Sequence, residues 1–208
     1  MKKEKLVALT FDDGPSITTT PLILDIIEKH HITASFFLIG NHINDKTKSI
    51  LERELSLGCE IHNHSWSHPD MTKLTNEQIN EEVHKTDKCI YQMVGVRPKF
   101  FRPPYIAIKD VMHEVIDLPF ISGINCLDWE DIVTAEQRSK ILLEKVQDGD
   151  IILLHDFEGN TNTVEALPAM ITGLLEEGYT FVTITELFER RGINPNVKNV
   201  TWSNCWQR

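Results

Sequence analysis

Residues 6–16 read LVALTFDDGPS. The apolar run 6–11 is short, carries Thr10 and ends on two adjacent acids, so it reads as a buried strand and not as a membrane segment or a leader. Asp12 and Asp13 then enter a Gly-Pro turn, and residues 20–30 come next with Leu22, Ile23, Ile26 and Ile27 on one helical stripe. A strand thus delivers polar chemistry into a turn, and a helix carries the chain back. The rest of the chain repeats that unit.

Further strands are expected at 34–39, 59–61, 99–101, 120–127, 151–154 and 181–184. Helices are expected at 46–57, 75–93, 110–116, 134–146, 163–177 and 185–190. Gly58 suits the end of the second helix, and Thr75 with Gln78 forms a capping-box pattern at the start of the third. No Pro/Gly/Ser linker and no repeat interrupts the alternation. One domain over 1–208 is expected, with 195–208 as a C-terminal tail. Its class is α/β: a parallel sheet covered by helices, either doubly wound or closed as a βα barrel.

The 208 residues are 41% hydrophobic and 25% charged, as in soluble globular chains, with a formal charge of −10. No nucleic acid is expected as a partner, because a polyanion calls for a basic face. No stretch approaches the ~20 apolar residues that span a bilayer, so no membrane association is expected either, and a monomer is the economical assembly. Cys59, Cys89, Cys126 and Cys205 form no CxxC pair, which argues against a cysteine zinc site or a disulfide framework. The basic start Met1-Lys2-Lys3 meets too short an apolar run for a signal peptide. The expectation is therefore either an intracellular protein or an excised module of a longer secreted one.

The unusual polar residues cluster after the expected strands: Asp12 and Asp13, His64 and His68, Arg102 and Tyr105, Asp128 and Trp129, His155 and Asp156. In a parallel βα architecture these ends share one face, where active sites are built. His64 and His68 are four apart, so a helical turn would bring both imidazoles to one side. Two imidazoles and one carboxylate, with a position left for water, make a catalytic metal composition. His62 is an alternative partner for His64 if that segment is fully extended. Arg102 sits in a segment stiffened by two prolines and can pair with a carboxylate of the site. His155 is the side chain most readily tuned to donate a proton near neutral pH.

Thr10-Phe11-Asp12-Asp13, His64-Ser65-Trp66-Ser67-His68, Arg102-Pro103-Pro104-Tyr105, Asp128-Trp129 and Leu153-Leu154-His155-Asp156, in this order, resemble the motifs of the polysaccharide deacetylase family (NodB homology domain, carbohydrate esterase family 4). The resemblance spans about residues 6–191 and leans toward the clostridial-type acetylxylan esterases. It implies a distorted (β/α) barrel with about seven parallel strands and one divalent metal ion, Zn²⁺ or Co²⁺. It further implies Asp12 as general base, oriented by Arg102, and His155 as general acid. Asp13, His64 and His68 would hold the metal, and Tyr105, Trp129 and Asp128 would serve substrate binding.

Two departures stand out. Asn125 occupies the position where an aspartate is expected to pair with the catalytic histidine, which would weaken the acid and favour ester over amide substrates. Ile106 follows Tyr105 where glycine is common, leaving the shape of that loop open. The activity implied is removal of acetyl groups from an acetylated polysaccharide or oligosaccharide, most simply O-acetyl groups of xylan. N-deacetylation of N-acetylglucosamine polymers and non-catalytic sugar binding are the competing readings.

Overall fold

The computed structural model describes residues 4–207; the basic start Met1-Lys2-Lys3 lies outside the described residues. Its centre is β1 (Lys5–Asp12), buried at every position after the first. Parallel neighbours flank it: β2 (Ser35–Leu38) pairs with its carboxyl end, β5 (Ile151–His155) with residues 8–12, and β6 (Tyr179–Val182) with residues 5–8. β3 (Glu60–Asn63) extends the sheet beyond β2. A single parallel bridge then joins Asn63 to Phe101, another joins Phe101 to Phe120, and a third joins Ile124 to Ile152 of β5. The ring thus returns to β5 through single bridges, which makes it a distorted barrel, as expected.

Two expectations need correction. Residues 99–101 contribute one bridging residue and not a strand, and 120–127 keeps only β4 (Phe120–Ile121). The prolines at 98, 103 and 104 and the left-handed backbone at Leu127 prevent a longer ladder. The C-terminal tail packs back onto the barrel: it supplies β7 (Thr201–Trp202), parallel to β4, with Trp202 and Cys205 buried.

Helices pack around the ring: α1 (Thr19–His30), α2 (Lys48–Ser56), α3 (Asn76–Val94), α4 (Met112–Val115), α5 (Ala135–Lys145), α6 (Thr161–Glu176) and α7 (Ile184–Arg191). Thr75, Thr134 and Thr183 each close a capping box, with Gln78, Gln137 and Glu186 respectively. Each such cap satisfies two otherwise orphaned N–H groups and is worth roughly 1 kcal/mol. Left-handed glycines, Gly95 and Gly192, end α3 and α7. Among the described residues no helix is long and apolar enough to cross a membrane.

Strand alternation decides which side chains reach the site. Val7, Leu9 and Phe11 face the outer core under the helices, as do Ile152 and Leu154. Leu6, Ala8 and Ile151 face the opposite way, into the barrel. With a period of two, Thr10 and Asp12 on β1 and Leu153 and His155 on β5 continue that inner face to the carboxyl end. The ladder sets Asp12 directly beside His155.

Candidate active site and metal centre

A cavity of about 610 Å³ opens at this end, lined by Asp12, Asp13, His64, His68, Tyr105, Trp129 and His155 among others. Residues separated by more than a hundred positions therefore meet in one place.

Asp13 lies just past β1 with φ 75°, a left-handed conformation that turns its carboxylate away from Asp12. His64 Nε2 and His68 Nε2 each lie 3.4 Å from Asp13 Oδ1. Ligand atoms bound at about 2.1 Å in a tetrahedron sit roughly 3.4 Å apart, so this spacing fits a cation between them. Among the described residues the buried Oδ1 of Asp13 has no hydrogen-bond partner, as expected of an atom reserved for a metal. His64 Nδ1–H donates to the Arg102 carbonyl at 2.7 Å, which leaves Nε2 with its lone pair toward the site. Asp13, His64 and His68 thus form a group able to hold one divalent ion. Burial opposes the charged form of Asp13, yet His64 when protonated, with His155 and His68 beyond it, pulls its pKa down to about 2.

The helical account of the two histidines does not hold. Residues 64–70 form a loop, with Ser65 at φ 66° and His68 at φ 57°. That loop is held from outside. Asn63 Oδ1 accepts from the Ser65 N–H at 2.8 Å, while its amide donates to Asp87 and to the Val83 carbonyl of α3. Glu82 on α3 accepts from the N–H groups of Trp66 and Ser67, both at 2.8 Å, and from the Ser67 hydroxyl. Neither Asn63 nor Glu82 is singled out by the sequence. His62 points into the barrel between Phe37 and Phe100, beside Glu60, and is not a partner of His64.

Arg102 is fully buried and donates through Nη1 to Asp12 Oδ1 at 2.6 Å and to Thr10 Oγ1 at 2.8 Å, and through Nη2 to the Ser122 carbonyl. Its guanidinium stacks over Phe37, 4.1 Å from the ring centre. Asp12 is therefore fixed in place, with its second oxygen 3.8 Å from His64 Nε2.

Beside Asp12, at the end of β5, His155 Nδ1–H donates to Asp128 Oδ1 at 2.8 Å, and the His155 backbone N–H donates to Asp128 Oδ2 at 2.7 Å. Burial alone would depress the imidazole, but Asp128, with Asp12 and Asp13, raises its pKa to about 9. This corrects two expectations. Asp128 is fully buried and serves the histidine, so it does not line a substrate groove. Asn125 instead accepts from the Leu127 N–H within its own loop, so the amide there does not deprive His155 of a carboxylate.

The rim is aromatic and apolar. Tyr105 is 69% exposed on one side, next to Ile106, and its ring meets His68 edge-on. Trp129 stands on the other side, edge-on to His155. Ile106 adopts φ 52°, the backbone conformation glycine would take without strain, so the loop keeps a glycine-like turn around a branched side chain. Among the described residues, four of the eight non-glycine positions with positive φ line this cavity, Asp13, His68, Tyr105 and Ile106, and Ser65 and Leu127 lie in the loops that carry His64 and Trp129. Such strain concentrates where geometry serves function.

The model of the polysaccharide deacetylase family matches residues 1–118, more than half of the chain. The chain belongs to the polysaccharide deacetylase family. This polysaccharide deacetylase chain is 52% identical over 203 residues to a bifunctional xylanase/deacetylase of Pseudobutyrivibrio xylanivorans, covering 98% of the chain and 34% of that protein. It therefore spans about a third of that relative's length. Its structure superposes on the Xyl-CE4 domain of a multidomain xylanase from the hindgut metagenome of Trinervitermes trinervoides with a TM-score of 0.97, at 50% identity, covering 99% of this chain and all of that one. A family 4 acetyl xylan esterase from Clostridium thermocellum, solved with a cobalt ion, superposes with a TM-score of 0.93 at 41% identity, covering 96% and 98%.

Proposed function

We propose that this chain hydrolyses acetyl groups from an acetylated polysaccharide, acetylated xylan in the first place, with the help of one divalent metal ion. One observation carries the reading: the Asp13–His64–His68 group, Asp12 and His155 line a single cavity. The names of the xylan-directed relatives support the choice of sugar, since the likeness covers nearly the whole chain.

Asp13, His64 and His68 hold the metal, which when bound polarises an acyl oxygen and makes water more acidic. Asp12, locked by Arg102, takes a proton from the attacking water. The oxygen of that water bonds to the acetyl carbon. The Tyr105 N–H helps hold the negative charge that collects on the acyl oxygen. As the bond between acyl carbon and sugar oxygen breaks, His155 Nε2–H protonates the departing oxygen, and acetate and a free sugar hydroxyl leave. Asp128 keeps the imidazole in the tautomer and orientation for that transfer. Tyr105 and Trp129 flank the sugar chain. Because His155 carries a carboxylate partner, acid strength gives no preference for esters over amides, and the choice rests on groove shape and on the relatives.

The test is acetate release from acetylated xylan and from N-acetylglucosamine oligomers at equal enzyme, with and without chelator. Metal-dependent release from xylan alone is the expected result. Release from the amide oligomers alone would move the reading to N-deacetylation, and sugar binding without any release would reduce the chain to a binding protein.

A further inference from the structure

Behind Asp128 lies a buried cation that the acetyl-transfer chemistry does not use. Arg138, on the inner face of α5, is 1% exposed, and among the described residues its side chain donates to no carboxylate directly. Its Nη1 donates to Asn160 Oδ1 at 2.6 Å and to Thr163 Oγ1 at 2.8 Å. Both acceptors pass the polarity on. The Thr163 hydroxyl donates to Asp128 Oδ2 at 3.0 Å, and the Asn160 amide donates to the same oxygen at 3.4 Å and to the His155 carbonyl at 2.9 Å. The other edge of the guanidinium is aimed elsewhere. Nη2 donates to the Glu130 carbonyl at 3.0 Å and Nε to the Val133 carbonyl at 2.9 Å. These two carbonyls belong to the loop that presents Trp129 at the rim.

We infer that Arg138 is a positioning residue that fixes two parts of the site at once: the Asp128–His155 pair, through Thr163 and Asn160, and the Trp129 loop, through Glu130 and Val133. The inference rests on the acetyl-hydrolase reading of the cavity. A buried guanidinium is costly unless its N–H groups find acceptors, and this one directs its donors to the two segments that the acid and the sugar rim require. The bonds run donor to acceptor from the guanidinium through Thr163 to Asp128, so the charge sets the direction of the hydroxyl and the hydroxyl holds the carboxylate in place beside His155. The charged and titratable groups that bear on His155 are Asp12 at the end of β1, Asp13 just past it, Asp128, His68 and Asp156. Arg138 is the cation that Thr163 and Asn160 link to Asp128.

Thr163→Val removes the relaying hydroxyl at nearly constant shape, and Thr163→Ser restores it. The expected result is a kcat about tenfold lower in the valine variant, with the alkaline limb of its pH profile about one unit lower and the serine variant close to wild type. Arg138→Met addresses both edges. It is expected to lower kcat and also raise KM for acetylated xylan severalfold, while KM for a small acetate ester, which has no sugar chain to set against Trp129, changes less. In ¹⁵N-histidine-labelled protein the downfield Nδ1 proton of His155 should move upfield in the valine variant and not in the serine one. This signal is read without turnover, so it judges the inference even if wild type releases no acetate. Should Thr163→Val match Thr163→Ser in both limb and resonance, or Arg138→Met fold and keep wild-type constants, the role assigned to Arg138 is wrong.

Discussion

His155 and Asp128 share two hydrogen bonds, one from the ring Nδ1–H at 2.8 Å and one from the backbone N–H at 2.7 Å, so a single buried carboxylate fixes both the orientation and the proton affinity of the imidazole. With the pKa of His155 raised to about 9, the ring is protonated across neutral pH and available as an acid. Asp128→Asn removes the charge that opposes burial, and the imidazole pKa then falls. Expected are a loss of about 10²–10⁴ in turnover and an alkaline limb of kcat/KM displaced to lower pH. A pH–rate profile of the variant reads both, and an unmoved limb would show that another group donates the proton.

The loop carrying His68 depends on a residue of α3. Glu82 gathers the N–H groups of Trp66 and Ser67 and the Ser67 hydroxyl with one carboxylate. In Glu82→Ala these donors lose their fixed acceptor, and His68, already in a left-handed conformation, loses its support. Outer partners of this kind are worth about 10–100-fold in metal affinity. Competition against a chromogenic chelator measures it, with zinc and with cobalt. Wild-type affinity in the variant would mean the loop is held without Glu82.

Asp128 and Glu82 also mark how far the sequence can be read. The clusters after β1, β3 and β5 are legible, because a buried strand ending in an acid or a histidine is a local signal. The spacing of His64 and His68 suggests a helix, yet a loop pinned by Asn63 and Glu82 brings them together. The partners that position the site come from other helices: Glu82 from α3, Arg138 from α5, Thr163 from α6. Their spacing to the residues they serve obeys no local period, so pattern reading passes them by. The same holds for Asp128, whose role depends on which neighbour its carboxylate meets. Strand pairing around Phe101 and β7 is likewise set by neighbours and not by the run itself.

Gly14 leaves no room for a side chain. A Cβ there would overlap Asp156 Oδ2 and stand 2.7 Å from Oδ1. That carboxyl cannot swing aside easily, since Thr20 Oγ1 donates to it at 2.5 Å and the residue's own N–H donates to the Asp12 carbonyl. Gly14→Ala must therefore displace the turn that carries Asp13. A stability loss of about 1–3 kcal/mol is expected, as for overpacking, together with weaker metal binding. Denaturant unfolding and chelator competition test the two halves separately. An alanine variant with wild-type values in both would show that the turn has slack.

Ile106 offers the converse experiment, in which strain is removed. A β-branched residue at φ 52° holds its place on the rim at a strain of roughly 1–3 kcal/mol. Glycine would relieve that strain, but it adds backbone freedom to the unfolded chain, costing roughly 0.5–1 kcal/mol. The two effects oppose each other, so Ile106→Gly should leave stability the same or slightly higher. The Ile106 side chain lines the cavity beside Tyr105 and carries no proton for the reaction. Losing it should raise KM for the polysaccharide severalfold while kcat holds, since neither proton-transfer group changes. Unfolding by denaturant and initial rates across a range of xylan concentrations supply both readouts. A clear destabilisation would mean that packing of Ile106 outweighs its backbone strain, and a fall in kcat at unchanged KM would place the residue closer to the reacting atoms than the rim.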